Sequence, residues 1–132
     1  MMRSKVLCMA ICLCMPAAFA HHSGALYDLA KTESVKGSVK TFIWANPHVF
    51  FIVTGEPKGK ELGQEWRFEM TSPGRLTRAG FTKRTLAPGD SITVDFNPMR
   101  DGSRVGWARK VTAADGKVLV FDVQGEEKPN LP

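Results

Sequence analysis

The sequence predicts an all-β fold: a small antiparallel barrel of five to six strands, with one short helix between the third and fourth strands. Three observations support this prediction. Apolar and polar residues alternate with a period of two along most of the chain, which is the pattern of half-buried strands. Clusters of glycine, proline and asparagine separate the alternating segments. The pair Ser72-Pro73 precedes a segment that does not alternate, and this pair is typical of a helix N-terminus.

The first three predicted strands lie around a proline corner. They cover residues 33–44, 49–54 and 64–71, and Asn46-Pro47-His48 separates the first strand from the second. Gly37 lies in the middle of the first strand and indicates a bulge or a sharp bend, which would let one strand serve both halves of a barrel. Phe42 and Trp44 make the end of this strand apolar on both faces, so we expect another segment, such as the N-terminal arm, to cover it.

The second half of the chain begins with the helix. Ser72 is the predicted N-cap, residues 74–79 form about two turns, and Gly80 ends the helix. Three further strands are predicted at residues 91–96, 104–112 and 117–123. Three strands, a helix and two strands is the order of the OB-fold, a small Greek-key barrel. An open antiparallel sandwich of similar size is the alternative.

The alternation also predicts which side chains point inward. Trp66 of the third strand and Trp107 of the fifth fall on inward faces, so we expect both in the core. Glu65 and Glu69 fall on the outward face of the third strand, where we expect them to be exposed and unable to act as an acid–base pair. The sequence contains no nucleophile elbow, phosphate-binding glycine loop or zinc-protease motif. We therefore expect a binding protein and not an enzyme.

The first 20 residues have the composition of a secretory signal peptide. Arg3 and Lys5 precede an apolar run at residues 6–15, and Ala18-x-Ala20 supplies the small residues of a cleavage site. An uncleaved anchor is the alternative, but the run is shorter than the roughly 20 residues that span a bilayer. All three cysteines lie in this segment, so the rest of the chain offers no thiol. We expect a periplasmic or secreted protein.

These observations give a domain organisation. We expect a cleaved segment at residues 1–20 and a single barrel domain at residues 21–124. The domain begins with an N-terminal arm, residues 21–32, and residues 125–132 form a flexible polar tail. The net charge of +5 falls by two when Arg3 and Lys5 are removed. This mild positive charge does not indicate a nucleic-acid partner, and no transmembrane segment is expected after processing.

Several short motifs spread over the chain carry a family resemblance. They are Ala20-His21-His22-Ser23, Gly37-x-Val39, Trp44-x-Asn46-Pro47-His48, Ser72-Pro73 with Leu76, Arg78 and Gly80, Leu86-x-Pro88-Gly89-Asp90, and Arg100-Asp101-Gly102. With these motifs the sequence resembles a family of small exported bacterial proteins, the domain of unknown function DUF6152. Phe81 stands where relatives are expected to carry tryptophan, which affects packing more than chemistry. The resemblance implies export and a small β domain, and it implies no established activity.

Three histidines are the candidate metal ligands. Cleavage after Ala20 makes His21 the first residue, so that its α-amine and its imidazole can chelate one metal ion. A third nitrogen from His48 would complete a T-shaped or square-planar site, and nitrogen-rich sites of this geometry suit Cu(II). His22 could replace either imidazole. Cleavage one residue earlier would give another copper- or nickel-chelating terminus, Ala20-His21-His22. We therefore expect His21, His22 and His48 to bind a metal, most simply copper.

Each candidate also has a simpler interpretation. The histidine pair can be a solvated chain start, and His48 can be a turn residue whose ring packs on Trp44. A second hypothesis is an OB-type interaction module that binds a peptide, a glycan or a partner protein without a metal. Its ligand-binding residues would be Trp44, Asn46 and Arg100. A metal-dependent enzyme is a third hypothesis, and it would need an open coordination position beside a pocket.

Overall fold

The computed structural model describes residues 25–56 and 63–120. The strands, with one helix α1, follow the predicted order: β1 Glu33–Ile43, β2 Phe50–Gly55, β3 Glu65–Glu69, α1 Pro73–Arg78, β4 Ser91–Pro98, β5 Val105–Ala113 and β6 Val118–Val120. The predicted signal peptide, His21, His22 and the tail lie outside the described residues. Within the described ranges, no helix is both long enough and apolar enough to cross a membrane.

The strands close into a barrel of mixed direction. The sheet order is β3-β2-β1-β4-β5-β6, and β3 also pairs with β5, which closes a ring of five strands and leaves β6 as an extra strand. The β3–β5 pair is parallel, so the prediction of a purely antiparallel barrel is wrong. The reason is geometric: neighbours cannot all run in opposite directions around a ring with an odd number of strands. The barrel itself is confirmed over the open sandwich.

Strand β1 belongs to both halves of the barrel, as its central glycine indicated. It pairs with β4 from Glu33 to Ser38 and with β2 from Gly37 to Ile43. A Cβ atom at Gly37 would lie 2.2 Å from the Thr54 carbonyl oxygen, so glycine is required here by a close backbone approach. The bulge lies three residues later, at Lys40, because Val39 and Thr41 pair with consecutive residues of β2.

The bulge at Lys40 explains the apolar end of β1. Before the bulge, Val35 and Val39 face the interior, and after it Phe42 and Trp44 pack against the same core. One extra residue shifts the alternation by one position, so both sets of apolar side chains reach the interior. The barrel core therefore accounts for the apolar end of β1, and the described arm residues, 25–32, are hydrogen bonded to the end of β4 and the loop that follows it.

The helix and the interior are close to prediction. Ser72 caps α1, since its Oγ accepts a hydrogen bond from the Arg75 backbone N–H at 3.4 Å, and Gly80 follows the helix with a φ of 87°. The core is aromatic at its centre. Phe51, Phe68 and Phe96 are fully buried, and the Phe68 and Phe96 ring centroids lie 4.9 Å apart. Trp66 is partly buried against this core, as predicted.

Trp107 was predicted to lie in the barrel core, and this is wrong. The side chain is buried, but on the outer face of the barrel. A Cβ atom at Gly106 would lie 2.2 Å from the Phe96 ring, so Gly106 faces the interior, and Ala108 belongs to the core cluster. Because side chains alternate along a strand, Trp107 faces outward between them. A bulge at Arg109, where Asp95 pairs with Lys110 and Phe96 with Ala108, shifts the alternation that placed Trp107 beside Val111. The N-terminal arm covers the outward ring.

Candidate functional site

The described part of the N-terminal arm lies across the outer face of the barrel. Tyr27 forms a β-bridge with Met99, and the Asp28 backbone N–H donates to the Pro98 carbonyl at 2.8 Å. Further along, the Asn97 side-chain amide donates to the Lys31 carbonyl at 2.7 Å. The arm is therefore held to the end of β4 by its own backbone.

Four side chains meet where the arm crosses the β3–β5 pairing. Glu69 and Trp107 are neighbours in the parallel register of β3 and β5, which places both on the outer face. Tyr27 comes from the arm, and its ring packs edge-on against Trp107 with centroids 5.6 Å apart. His48 comes from the corner before β2, and its ring lies 5.7 Å from Trp107. We call Tyr27, His48, Glu69 and Trp107 the outer cluster.

The backbone after the proline corner places His48 in this cluster. The Val49 N–H donates to the Thr71 carbonyl at 3.1 Å, and the Met70 N–H donates to the Val49 carbonyl at 2.8 Å. Val49 is fully buried, so the preceding side chain, His48, points to the outer face by strand alternation. His48 consequently lies beside the last residue of β3, Glu69.

The Glu69 carboxylate is the centre of the outer cluster. Its Oε2 accepts a hydrogen bond from the Tyr27 hydroxyl at 2.6 Å, and its Oε1 is hydrogen bonded to His48 Nδ1. An ionised carboxylate only accepts hydrogen bonds, so the Nδ1 position of His48 carries the hydrogen. In the neutral ring this leaves the lone pair on Nε2, which has no hydrogen-bond partner among residues 25–56 and 63–120. The His48 side chain is 31% exposed.

This arrangement is the one that tunes histidine ligands in metal sites. In a metal-binding imidazole, the N–H of the second ring nitrogen commonly donates a hydrogen bond to a carboxylate. This bond fixes the tautomer and makes the other nitrogen a better ligand. Within the described ranges, no group of three or more histidine, cysteine, aspartate or glutamate side chains could hold a metal ion. A metal on His48 would therefore need ligands from outside those ranges, and His21 and His22 lie there.

The electrostatics of the cluster favour a neutral tyrosine. Burial, followed by the hydrogen bond and the negative charge of Glu69, raises the pKa of the Tyr27 hydroxyl far above its ordinary value, and the positive charge of Arg67 lowers it by less. Trp107 Nε1 is buried without a hydrogen-bond partner in the described structure. A buried N–H without a partner is unfavourable. The indole N–H of Trp107 is thus a hydrogen-bond donor that no described residue of the cluster satisfies.

The other predicted ligand-binding residues do not join this cluster. Trp44 packs against Phe42, with ring centroids 6.0 Å apart, and against the core. Asn46 is exposed at the corner, where it forms a cis peptide bond to Pro47. Arg100 is exposed, 4.0 Å from Asp28, and lines a hollow of about 240 Å³ together with Trp66. No hydrogen bond, ion pair or ring contact within the described ranges joins Trp44, Asn46 and Arg100 to one another.

Sequence reasoning placed His48 in a functional role but missed its partners. Glu69 was expected to be exposed, because alternation separates inward from outward positions and does not show what covers an outward one. Its carboxylate group is instead in contact with two side chains, and the Glu69 side chain is only 24% exposed. The Gly106-Trp107-Ala108 pattern is a usable signal, since small residues on both sides of a tryptophan indicate that the large ring faces the opposite side.

Three comparisons place the chain among known proteins. The model of a family of unknown function, DUF6152, matches residues 9–109. No curated protein matches the sequence. Among solved structures, the mitochondrial single-stranded DNA binding protein Rim1 from S. cerevisiae is similar, with a TM-score of 0.50 and 7% sequence identity, over 64% of this chain and 93% of that chain. At this identity the similarity shows the fold, an OB-like barrel.

Proposed function

The chain belongs to the family of unknown function DUF6152 and folds as a small OB-like barrel, and we propose that it binds copper outside the cytoplasm. His48 is the ligand held by the barrel, through Nε2. His21, with its α-amine, and His22 are the ligands brought by the N-terminal arm.

The observation that carries the proposal is the contact between Glu69 and His48 Nδ1. The carboxylate orients the ring and reserves Nε2 for a ligand on the exposed side. A histidine that only terminates a turn needs no such partner. The simpler interpretation, packing of His48 on Trp44, is not supported, since the ring contact of His48 is with Trp107.

The position of the arm also supports the proposal. Tyr27 and His48 are hydrogen bonded to the two oxygens of one carboxylate, so the arm is held next to the barrel ligand. His22 precedes Tyr27 by five residues, and five extended residues span at most about 17 Å. The arm is therefore long enough to return His21 and His22 to His48.

The choice of copper follows from the ligand types. An amine and two or three imidazoles are nitrogen ligands, and outside the first 20 residues the sequence has no cysteine to favour zinc or Cu(I). Among divalent first-row metals, Cu(II) binds such sites most tightly. The amine of His21 is free only after cleavage behind Ala20, so the proposal includes removal of residues 1–20 and a periplasmic or secreted location.

The decisive experiment uses protein that begins at His21, with mass spectrometry to confirm the first residue. Cu(II) is titrated, and electron paramagnetic resonance counts the nitrogens in the site. We expect a nitrogen-rich signal that changes in His48→Ala. Glu69→Gln should weaken Cu(II) binding about 10- to 100-fold, as loss of a ligand-orienting carboxylate does elsewhere. Glu65→Gln is the matched control, an exposed carboxylate on the same strand that is ion-paired with Lys40.

A signal that is identical in wild type and His48→Ala would refute the barrel ligand. The alternative function, an OB-type interaction module at Trp44, Asn46 and Arg100, then becomes the better hypothesis. OB-folds bind extended ligands on one face of the barrel, and the fold is the observation that favours this alternative. A partner captured equally well with and without a chelator would support it.

A further inference from the structure

We infer that Tyr27 is a positioning residue of the proposed copper site, and that its hydroxyl couples docking of the N-terminal arm to metal binding at His48. The inference rests on the proposed function and deepens it. It names the contact that joins the arm, which carries the proposed ligands His21 and His22, to the barrel ligand His48.

Tyr27 is the residue on which docking of the arm depends. It is 1% exposed, whereas the neighbouring arm residues Leu26 and Leu29 are 54% and 40% exposed. Among arm residues 25–32, Tyr27 alone is buried. Burial of this one large aromatic side chain contributes most of the apolar contact that arm residues 25–32 make.

The hydroxyl of Tyr27 makes docking of the arm specific for the Glu69 carboxylate. A phenylalanine ring could fill the same space against Trp107, but it could not donate to Glu69. The Glu69 carboxylate is shared: one oxygen takes the Tyr27 hydroxyl and the other takes His48 Nδ1. Loss of the Tyr27 hydroxyl from Oε2 would therefore change the charge on Oε1 and the orientation of the carboxylate that His48 contacts.

Thermodynamic linkage makes this coupling reciprocal. If a docked arm raises the affinity of the site for Cu(II), then Cu(II) must favour the docked arm by the same factor. The backbone N–H groups of Asp28 and Arg100 report docking directly, because they donate to the Pro98 and Leu26 carbonyls at 2.8 and 3.0 Å. Both amides exchange with solvent only when the arm leaves the barrel.

The first test uses the variant Tyr27→Phe in protein that begins at His21. We expect Cu(II) affinity to fall about tenfold, as for other residues that orient a ligand. We also expect the resonance spectrum of Tyr27→Phe to approach that of His48→Ala, because the arm would hold copper without the barrel ligand. Ser34→Ala is the matched control, since it removes another hydroxyl–carboxylate hydrogen bond, to Asp95, between two residues that do not belong to the outer cluster.

The second test needs no variant and avoids any loss of folding. Hydrogen exchange of the Asp28 and Arg100 amides in wild-type protein is measured with and without Cu(II), and we expect slower exchange with the metal. Unchanged exchange, together with a Tyr27→Phe spectrum equal to wild type, would overturn the role of Tyr27 while a His48-dependent copper signal keeps the proposed function. Absence of that signal in wild type would overturn both.

Discussion

Replacement of Gly37 by alanine tests the central geometry of the barrel. At this residue β1 changes from pairing with β4 to pairing with β2. The new Cβ atom would lie 2.2 Å from the Thr54 carbonyl oxygen and 2.8 Å from Gly55 Cα. Ordinary contact begins near 3.4 Å, so the two strands would have to move apart by about 1 Å.

The expected loss of stability is large for so small a change. Overpacking in a close-packed region costs about 1–3 kcal/mol, and each backbone hydrogen bond that lengthens beside Gly37 costs about 1 kcal/mol more. We therefore expect the free energy of unfolding to fall by about 3 kcal/mol or more in Gly37→Ala. Domains of this size have about 5–15 kcal/mol in total, so the variant would be severely destabilised.

Urea denaturation followed by tryptophan fluorescence measures this free energy, and Gly55→Ala is the matched control. Gly55 is the direct partner of Gly37 in the β1–β2 register, but a Cβ atom there would lie no closer than 3.5 Å from any neighbour. Alanine at a compatible site stabilises by about 0.4–1 kcal/mol through the unfolded state. Equal stability of Gly37→Ala and Gly55→Ala would show that β1 does not pair as described.

Three further predictions follow from single contacts. Because the pKa of Tyr27 is raised, its stabilising effect is complete below about pH 10, where a free tyrosine ionises, and is lost at higher pH. The unfolding free energy should therefore decline there more steeply in wild type than in Tyr27→Phe, by up to about 1.4 kcal/mol per pH unit. Lys36, Lys40 and Lys110 are ion-paired, so we expect oligothymidylate to bind no more tightly than about 0.1 mM at physiological salt, measured by fluorescence anisotropy. Micromolar binding would contradict the expectation that the protein has no nucleic-acid partner. Ser72→Ala removes the cap of α1 and should cost about 1 kcal/mol in thermal unfolding, whereas no loss would show that the cap is unimportant.

The strand order was predictable because it depends on local alternation and turn residues. Each strand between the glycine- and proline-rich clusters is found within a few residues of its predicted bounds, and Ser72 and Gly80 mark the helix ends as expected. These signals act within a few residues of the chain, so one sequence is sufficient to read them.

The errors share a cause, which is that bulges and closure depend on contacts between distant segments. The sequence gives no sign of the bulges at Lys40 and Arg109. Unbroken alternation through Arg109 assigned Trp107 to the core. The parallel pairing that places Glu69 beside Trp107 also has no local signal. The sequence could therefore predict His48 as a functional residue, but not the carboxylate that orients it.

The position of the outer cluster has a consequence for the order of folding. Glu69 and Trp107 come from strands that meet only when the barrel closes, and Tyr27 must find both of them. Its bridge to Met99 joins residues far apart in the chain, and contacts of long sequence separation form late because loop closure must come first. The surface that receives the Tyr27 side chain is thus incomplete until β3 and β5 have paired. In refolding, a change in Trp107 emission should follow formation of the sheet, so the proposed ligands of the arm would meet His48 only in a barrel that has already closed.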